Sequence, residues 1–509
     1  MMYNVHAHRV LIVGGGLAGL SAALFLQHQG VRTVLVERRH TTSPQPKARR
    51  INIRTMELFQ QIGIFDAVLD AARDLADYQF MAAGPSLAEA TRLPHALPGG
   101  LPDWDSITPA TACLCAQDLL EPVLRRIAED RGCDIRFSVE LTEFEEDADG
   151  IEATLRRADG STELLRADYL IAADGAGSPV RQRLGIERSG RGTLGQAVNV
   201  YFRADLAELV RGREFNLCQI ENSSVPGGFA SIDGAERWIF MARDGFDRTI
   251  GEWADALRIA IGVPDIEVEV LSVMPWEPGM FVADSYRAGR VFLAGDAAHV
   301  MTPYAAAGAN TGIGDVHNLA WKLAMALRGT GGPGLLDSYH SERHALGWYV
   351  ADQSSIRMGN LRTMNQQSTD GTPLADPISL ILGQRYEQGA VIDDGSSHTM
   401  ARLDLAGQPG TRVPHYRLAD GRSTLDLVGT NLVLLTGPDG EAWQAAAEQV
   451  RPTLEHYRLD EKWCATAGVE TTGAILLRPD QIIAWRAPEL PADPARALTE
   501  SVGRILDLR

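Results

Sequence analysis

At 509 residues, with 45% apolar and 6% aromatic side chains, the chain is long enough for two or three well-filled domains and is neither disordered nor fibrous. A formal net charge of −18 argues against general binding to nucleic acid or anionic membranes. The five cysteines, Cys113, Cys115, Cys133, Cys218 and Cys464, are odd in number and show no CxxC or zinc spacing, which argues against a disulfide framework and suits a reducing compartment.

No run of about twenty apolar residues marks a membrane span. Three consecutive glycines and the charged Glu37-Arg38-Arg39 set the N-terminal apolar run apart from a signal peptide. The expected location is the cytoplasm, the expected ligands are small molecules, and monomer and homo-oligomer stay open.

The first element is an apolar strand, Val10 to Val13, which runs into Gly14-Gly15-Gly16-Leu17-Ala18-Gly19. A helix with apolar residues three and four apart follows, Gly30 breaks it, and a strand from Val31 to Val36 delivers Glu37. This βαβ order predicts a dinucleotide cradle. Gly14 permits the tight turn, Gly16 lets the backbone approach a pyrophosphate, and Gly19 lets helix and strand pack closely. The helix N-terminus offers free N–H groups to the anion, and Glu37 is placed to accept from a ribose.

The loop after Glu37 gathers Lys47, Arg49, Arg50 and Arg54. It reads either as a solvated loop or, with Arg38, as cations that steady a bound phosphate. Helices are expected over 55–62 and on to about Asp74. Residues 78–110, rich in Gly and Pro, read as an excursion into a neighbouring domain. A helix opens at Gln117 with Pro122 expected in its first turn. Strands over 134–139, 141–146, 151–156 and 162–167 lead to a second glycine-bearing turn, Asp174-Gly175, after the strand Tyr169 to Ala173.

From 190 to 283 the alternation of apolar and polar residues predicts an antiparallel sheet domain inserted into the α/β domain. Tyr201, Trp238, Phe240 and Trp276 lie on its strands, where an aromatic serves a core or a pocket. The α/β domain resumes at Val291 and ends a strand in Gly295-Asp296 before a small-residue loop and a strong helix. Further helix is expected over 335–364, a polar linker over 366–400, and a compact α/β unit over 401–509 that carries no catalytic motif. His299 and His317 read as structural hydrogen-bonders.

Three motifs in this order resemble the single-component FAD-dependent aromatic hydroxylases of the para-hydroxybenzoate hydroxylase fold. They are Gly14-x-Gly16-x-x-Gly19 with Glu37, Asp174-Gly175-x-x-Ser178-x-Val180-Arg181, and Gly295-Asp296-Ala297-Ala298-His299. The segments Arg54-Thr55-Met56-Glu57-Leu58, Leu120-Glu121-Pro122, Asn318 to Leu323 and Glu342-Arg343 add to the match. The branch that oxidises polyketide-type aromatics is the closer one. The tail, through Asp426-Leu427, Arg478-Pro479-Asp480 and Trp485-Arg486, resembles its thioredoxin-like domain without the CxxC.

The resemblance implies an α/β (α+β overall) fold. The FAD-binding domain would comprise residues 1–77, 111–189 and 284–365, the last with the long helix. Residues 78–110 and 190–283 would form the substrate domain, 366–400 a linker and 401–509 the thioredoxin-like domain. It implies that Gly14 to Gly19 and Glu37 hold the ADP half of FAD, with Arg38, Lys47, Arg49 and Gln117 as further contacts. Asp174 and Gly175 would serve FAD and NADPH, and Gly295 and Asp296 the ribityl chain. Pro303 and the backbone of Gly308, Ala309 and Asn310 would face the isoalloxazine, with Tyr304 beside the substrate.

The activity implied is hydroxylation of an electron-rich, polycyclic aromatic, with NAD(P)H (NADPH favoured) as reductant and O₂ added at the flavin C4a as a hydroperoxide. No base is assigned and no metal is expected. Baeyer–Villiger oxygenation on the same fold, a related reductase, and a flavin-bound interaction protein without turnover are the alternatives. Two positions depart from the family. Lys47 stands where arginine is usual, and Ala305-Ala306-Ala307 occupies a loop that usually has a Gly-Gly pair, so an altered loop or flavin movement is expected.

Overall fold

The computed structural model describes residues 10–94, 102–357, 368–397 and 399–508. Its organising strand is Val10–Val13, whose four residues are all buried. Thr33–Glu37 and Tyr169–Ala172 flank it in parallel, with Asp134–Phe137 beyond the first and Val291–Leu293 beyond the second. Arg287–Ala288 closes the edge antiparallel. A parallel sheet covered on both faces needs strands that are apolar on both sides, which is how VLIV reads. Helices Leu17–His28, Gln117–Asp130 and Ala307–Arg328 pack together over it. Pro122 is inside the helix that starts at Gln117, past the first turn where it was expected.

Val139–Asp147, Gly150–Arg157 and Thr162–Ala167 form a separate antiparallel sheet. The inserted sheet has seven strands, in the order Glu269–Trp276, Ala197–Arg203, Arg237–Ala242, Gly227–Ser231, Leu217–Ile220, Met81–Gly84 and Thr91–Arg92. The excursion after residue 77 therefore supplies two of them, with residues 95–101 outside the described set. One pairing, Leu217–Ile220 with Met81–Gly84, is parallel rather than antiparallel.

The two faces of this sheet differ. Val198, Val200, Phe202, Phe229, Trp238 and Phe240 pack against Trp253 and Leu257 of helix Ile250–Ile261. That helix has a Thr249–Glu252 capping box and ends on left-handed Gly262. Trp238 and Phe240 are 0% exposed, so of the two roles open to them they take the core and do not line a pocket. Ile239, Tyr201 and Met241 occupy the other face and pack with Ala116 and Leu119 of the first domain.

The expected helix over 335–364 is observed as Pro333–Ser355, and residues 358–367 lie outside the described set. The segment expected as a polar linker carries the short helix Ser379–Leu382 and buries Leu380, Leu382 and Tyr386. The last domain is thioredoxin-like. Its strands run Glu455–Arg458, Val433–Thr436, Ala474–Leu477 and Ile483–Ala487, with helices Glu441–Gln449, Glu461–Ala467 and Pro494–Ile505.

A buried ionic cluster joins this domain to the first. Glu342 accepts from Lys322 Nζ at 2.7 Å, from both terminal nitrogens of Arg478 at 2.8 and 2.9 Å, and from Asn318 at 2.7 Å. Arg478 also pairs with Asp480, whose carboxylate it holds down at about 2 although burial works the other way. Two cations thus meet two carboxylates, all at 2% exposure or less. Burial still pushes Lys322 down to about 8. Breaking one partner of such a cluster strands a charge, which typically costs about 3–5 kcal/mol. Arg478→Ala is expected to lose stability on that scale in urea unfolding and to make the thioredoxin-like domain the first site of limited proteolysis; unchanged unfolding would show that the cluster does not hold the domains together.

Candidate cofactor and substrate site

The turn after the first strand is shaped by two close backbone approaches. A Cβ on Gly14 (φ +111°) would sit 2.2 Å from the Ala173 carbonyl oxygen, and one on Gly19 would sit 1.9 Å from that of Gly14. Neither position admits a side chain. Gly16 differs, because the nearest atom to its Cβ position is Glu121 Oε1 at 3.7 Å. The protein itself leaves that side open, as a cradle requires. No side chain caps helix Leu17–His28, so its first-turn N–H groups have no capping acceptor. Glu37 braces the turn by accepting from Gly15 N at 2.7 Å and Arg39 N at 2.9 Å. Glu121, 1% exposed, accepts from Ser43 N at 2.7 Å and Gln117 Nε2 at 2.6 Å, and burial pushes its carboxyl up.

Asp174 accepts from Val180 N at 3.1 Å through Oδ2, while its buried Oδ1 has no hydrogen-bond partner among the described residues. Burial raises its carboxyl against the pull of Ser178 and Val180. An orphaned buried oxygen beside an open glycine, Gly175 (φ +87°, no atom within 4 Å of its Cβ position), fits a ligand hydroxyl. On the other side Gly295 (φ +60°) leaves its Cβ position 3.0 Å from Ala18 Cβ, so the Gly295-Asp296 turn lies directly on the start of the first helix. Asp296 is exposed there. The protein around it pushes its carboxyl up, and His299 and Lys47 oppose that.

Asp315 fixes this turn. Its Oδ2 accepts from Gly295 N at 3.1 Å and meets His299 Nε2 at 2.7 Å, and its Oδ1 accepts from Arg343 Nε at 2.8 Å. His299 and His317 are buried, and burial pushes His317 down to about 3. His317 bonds Gln61 at 2.8 Å. Both act as hydrogen-bonders in the frame.

Pro303 leads into the turn Tyr304–Ala306 and then the helix Ala307–Arg328. Ala305 (φ 49°, ψ 26°) and Ala306 (φ 51°, ψ 35°) are both left-handed. The loop therefore keeps the shape that a glycine pair adopts freely, at a cost of about 1–2 kcal/mol per alanine. Asn310 stitches the loop down: Nδ2 donates to Arg50 O at 3.0 Å and Ala306 O at 2.8 Å, and Oδ1 accepts from Asn52 N at 2.9 Å and Thr55 Oγ1 at 2.7 Å. Its side chain is structural. Gly308 has nothing nearer its Cβ position than Met301 Cγ at 3.5 Å, so the backbone of the helix start is accessible.

Arg49 corrects another expectation. Its guanidinium donates to Ser231 O at 2.7 Å and to Asn216 Oδ1 at 2.7 Å, and burial, then the charge of Arg50, pushes it down to about 9. It clamps the two domains together and is not available to a phosphate. Arg38 lines a surface hollow with Arg39, His40 and Arg156. On the sheet face, Tyr201 OH lies 3.5 Å from Arg237, and Trp276 Nε1 donates to Asn199 at 3.1 Å. Glu121, Asp315 and Arg357 had no assigned role from sequence; Glu121 and Arg357 each have a partner four residues away, Gln117 and Gln353, but Ser43, the Gly295 turn and Arg343, and Ala375 are reached only through the fold. Tyr304 packs beneath the guanidinium of Arg357, 5.3 Å from its ring centre.

A family model described as FAD binding domain matches residues 7–354, and one described as aromatic-ring hydroxylase, C-terminal, matches 406–507. The chain belongs to this family of FAD-dependent aromatic hydroxylases. It is 40% identical to tetracenomycin B2 monooxygenase-dioxygenase of Streptomyces olivaceus, covering 98% of each chain. It is likewise 40% identical to tetracenomycin A2 monooxygenase-dioxygenase of Streptomyces glaucescens, over 98% of this chain and 96% of that one. Among solved structures it resembles aklavinone-11 hydroxylase in a ternary complex with FAD and aklavinone: TM-score 0.90, 34% identity, 99% of this chain and 100% of that one.

This flavoprotein hydroxylase thus offers FAD an open glycine cradle and an orphaned carboxylate oxygen, and the residues fit the cofactor. Asp174→Ala is expected to weaken FAD retention about 10- to 100-fold in equilibrium dialysis, the loss of a hydrogen bond to a charged group; undiminished retention would remove Asp174 from the site. Ala305→Gly or Ala306→Gly is expected to stabilise the fold by about 0.5–1 kcal/mol in chemical denaturation, because relief of left-handed strain exceeds the added chain entropy. A loss of stability would contradict the strained loop.

Proposed function

We propose that this hydroxylase oxidises an electron-rich, polycyclic phenol of the polyketide type, taking electrons from NADPH and one oxygen atom from O₂. The bound flavin supplies reduction by the nicotinamide and activation of oxygen. The chain's own residues bind, orient and exclude water. Gly14 to Gly19 and Asp174 would anchor the dinucleotide, Asp296 would hold its ribityl chain, and the Pro303–Ala306 loop with the backbone of Gly308 and Ala309 would set the ring.

The aromatic would lie between that loop and the sheet face that presents Tyr201, Ile239 and Met241. The observation that carries this reading is the sidedness of the inserted sheet. One face is sealed by helix Ile250–Ile261, and the other packs on Ala116 and Leu119 at the start of the Gln117 helix. Two relatives are named tetracenomycin B2 monooxygenase-dioxygenase and aklavinone 12-hydroxylase, and the second name supports hydroxylation over ester-forming oxygenation.

FAD-loaded enzyme should oxidise NADPH slowly alone and at least about tenfold faster with the right member of a panel of phenols and polyketide aromatics, with matched O₂ uptake. NADPH oxidation indifferent to every aromatic would contradict the proposal.

A further inference from the structure

Among the described residues, Arg50 is a cation with no counter-charge. It lies on the short strand Arg50–Ile51, paired with Cys113–Leu114. Its carbonyl and the next N–H but one are both held by Asn310, which also holds Ala306 O, so Arg50 and the Pro303–Ala306 loop form one rigid unit. Among the described residues its guanidinium makes no hydrogen bond or ion pair, and it is only partly buried, so its nitrogens keep solvent access.

The ionisable groups that face it are Arg49, Cys113 and Tyr304. Burial pushes the Cys113 thiol up to about 12 and raises the Tyr304 phenol, so neither is an anion at neutral pH. Arg49 adds a second positive charge, already spent on Asn216 and Ser231. Burial also disfavours the charged form of Arg50 itself. A partly desolvated guanidinium without a counter-charge is unfavourable in the free protein, and an anion that docks against it offsets that cost.

We infer that Arg50 is a specificity-determining residue that receives an ionised oxygen, phenolate or carboxylate, of the aromatic substrate at the edge of the Pro303–Ala306 loop. The inference rests on the proposed aromatic substrate. The position favours that occupant over a cofactor phosphate. The glycine cradle, where the pyrophosphate would lie, is the region of Glu121 and Lys47, whereas Arg50 neighbours Tyr304 at the far end of the site. A planar fork also suits a carboxylate or a pair of adjacent phenolic oxygens better than a single ammonium would.

Calorimetry on FAD-loaded wild type, R50Q and R50K, with ionised alizarin and with its neutral dimethyl ether, reads this directly. R50Q should bind ionised alizarin about 10- to 100-fold more weakly, the range for a hydrogen bond to a charged group. It should bind the ether as the wild type does, and R50K should fall between. Equal losses for both probes, or none for the ionised one, would overturn the assignment. So would R50Q that loses FAD before any aromatic is added, because the guanidinium would then serve the cofactor. A wild type that binds neither probe would overturn the aromatic-substrate reading and, with it, this one.

Discussion

Asp315 is a fully buried carboxylate on the helix Ala307–Arg328, and the site is assembled around what that helix carries. Asp315 holds the Gly295 turn, His299 and Arg343. Burial alone would drive its carboxyl up, but His299 and Arg343 keep it below the ordinary value. One turn earlier Asn310 ties down Arg50, Asn52 and Ala306, and further along Asn318 and Lys322 reach Glu342. A single helix thus connects the cofactor turn, the ring-side loop and the thioredoxin-like domain. Each connection is a buried polar contact with few alternatives, so the relative placement of the three is over-determined.

That rigidity accounts for the two alanines. Left-handed alanine persists only where the surroundings impose it. Here Asn310 binds the Ala306 carbonyl from within the same helix start and ties it to Arg50, which favours the left-handed arrangement. It also gives the thioredoxin-like domain a purpose that needs no thiol chemistry. Its one cysteine, Cys464, is buried, while Arg478, Asp480 and Gln481 reach into the FAD-binding domain. Arg54 donates to Gln481 at 2.6 Å and to the Asp480 carbonyl at 3.0 Å, which braces the helix Ile53–Gln61 that follows Arg50.

Much of the fold was legible because its signals are local. The order of strand, glycines, helix, strand and acid at Val10 to Glu37 is a contiguous pattern, and the alternation in the inserted sheet announces strands one at a time. Alternation does not say which face meets the other domain, so it leaves Trp238 and Phe240 open between core and pocket; they lie on the face that helix Ile250–Ile261 seals. The same gap explains Arg49, whose partners lie 167 and 182 residues away. Cations near a phosphate turn look alike in sequence, yet in the structure one clamps two domains and its neighbour stands unpaired. Ala305 and Ala306 show the reverse case, in which a local preference was read correctly and tertiary contacts overrode it.

The proposed reaction places an aromatic ring against the flavin and transfers to it a single oxygen atom from O₂. Turnover under ¹⁸O₂ with the substrate that accelerates NADPH oxidation, followed by mass spectrometry of the product, tests that most directly. One labelled atom in a new ring hydroxyl, and none from H₂¹⁸O in the reciprocal experiment, is the predicted result. A label in an inserted ester oxygen, or a product without label, would contradict it.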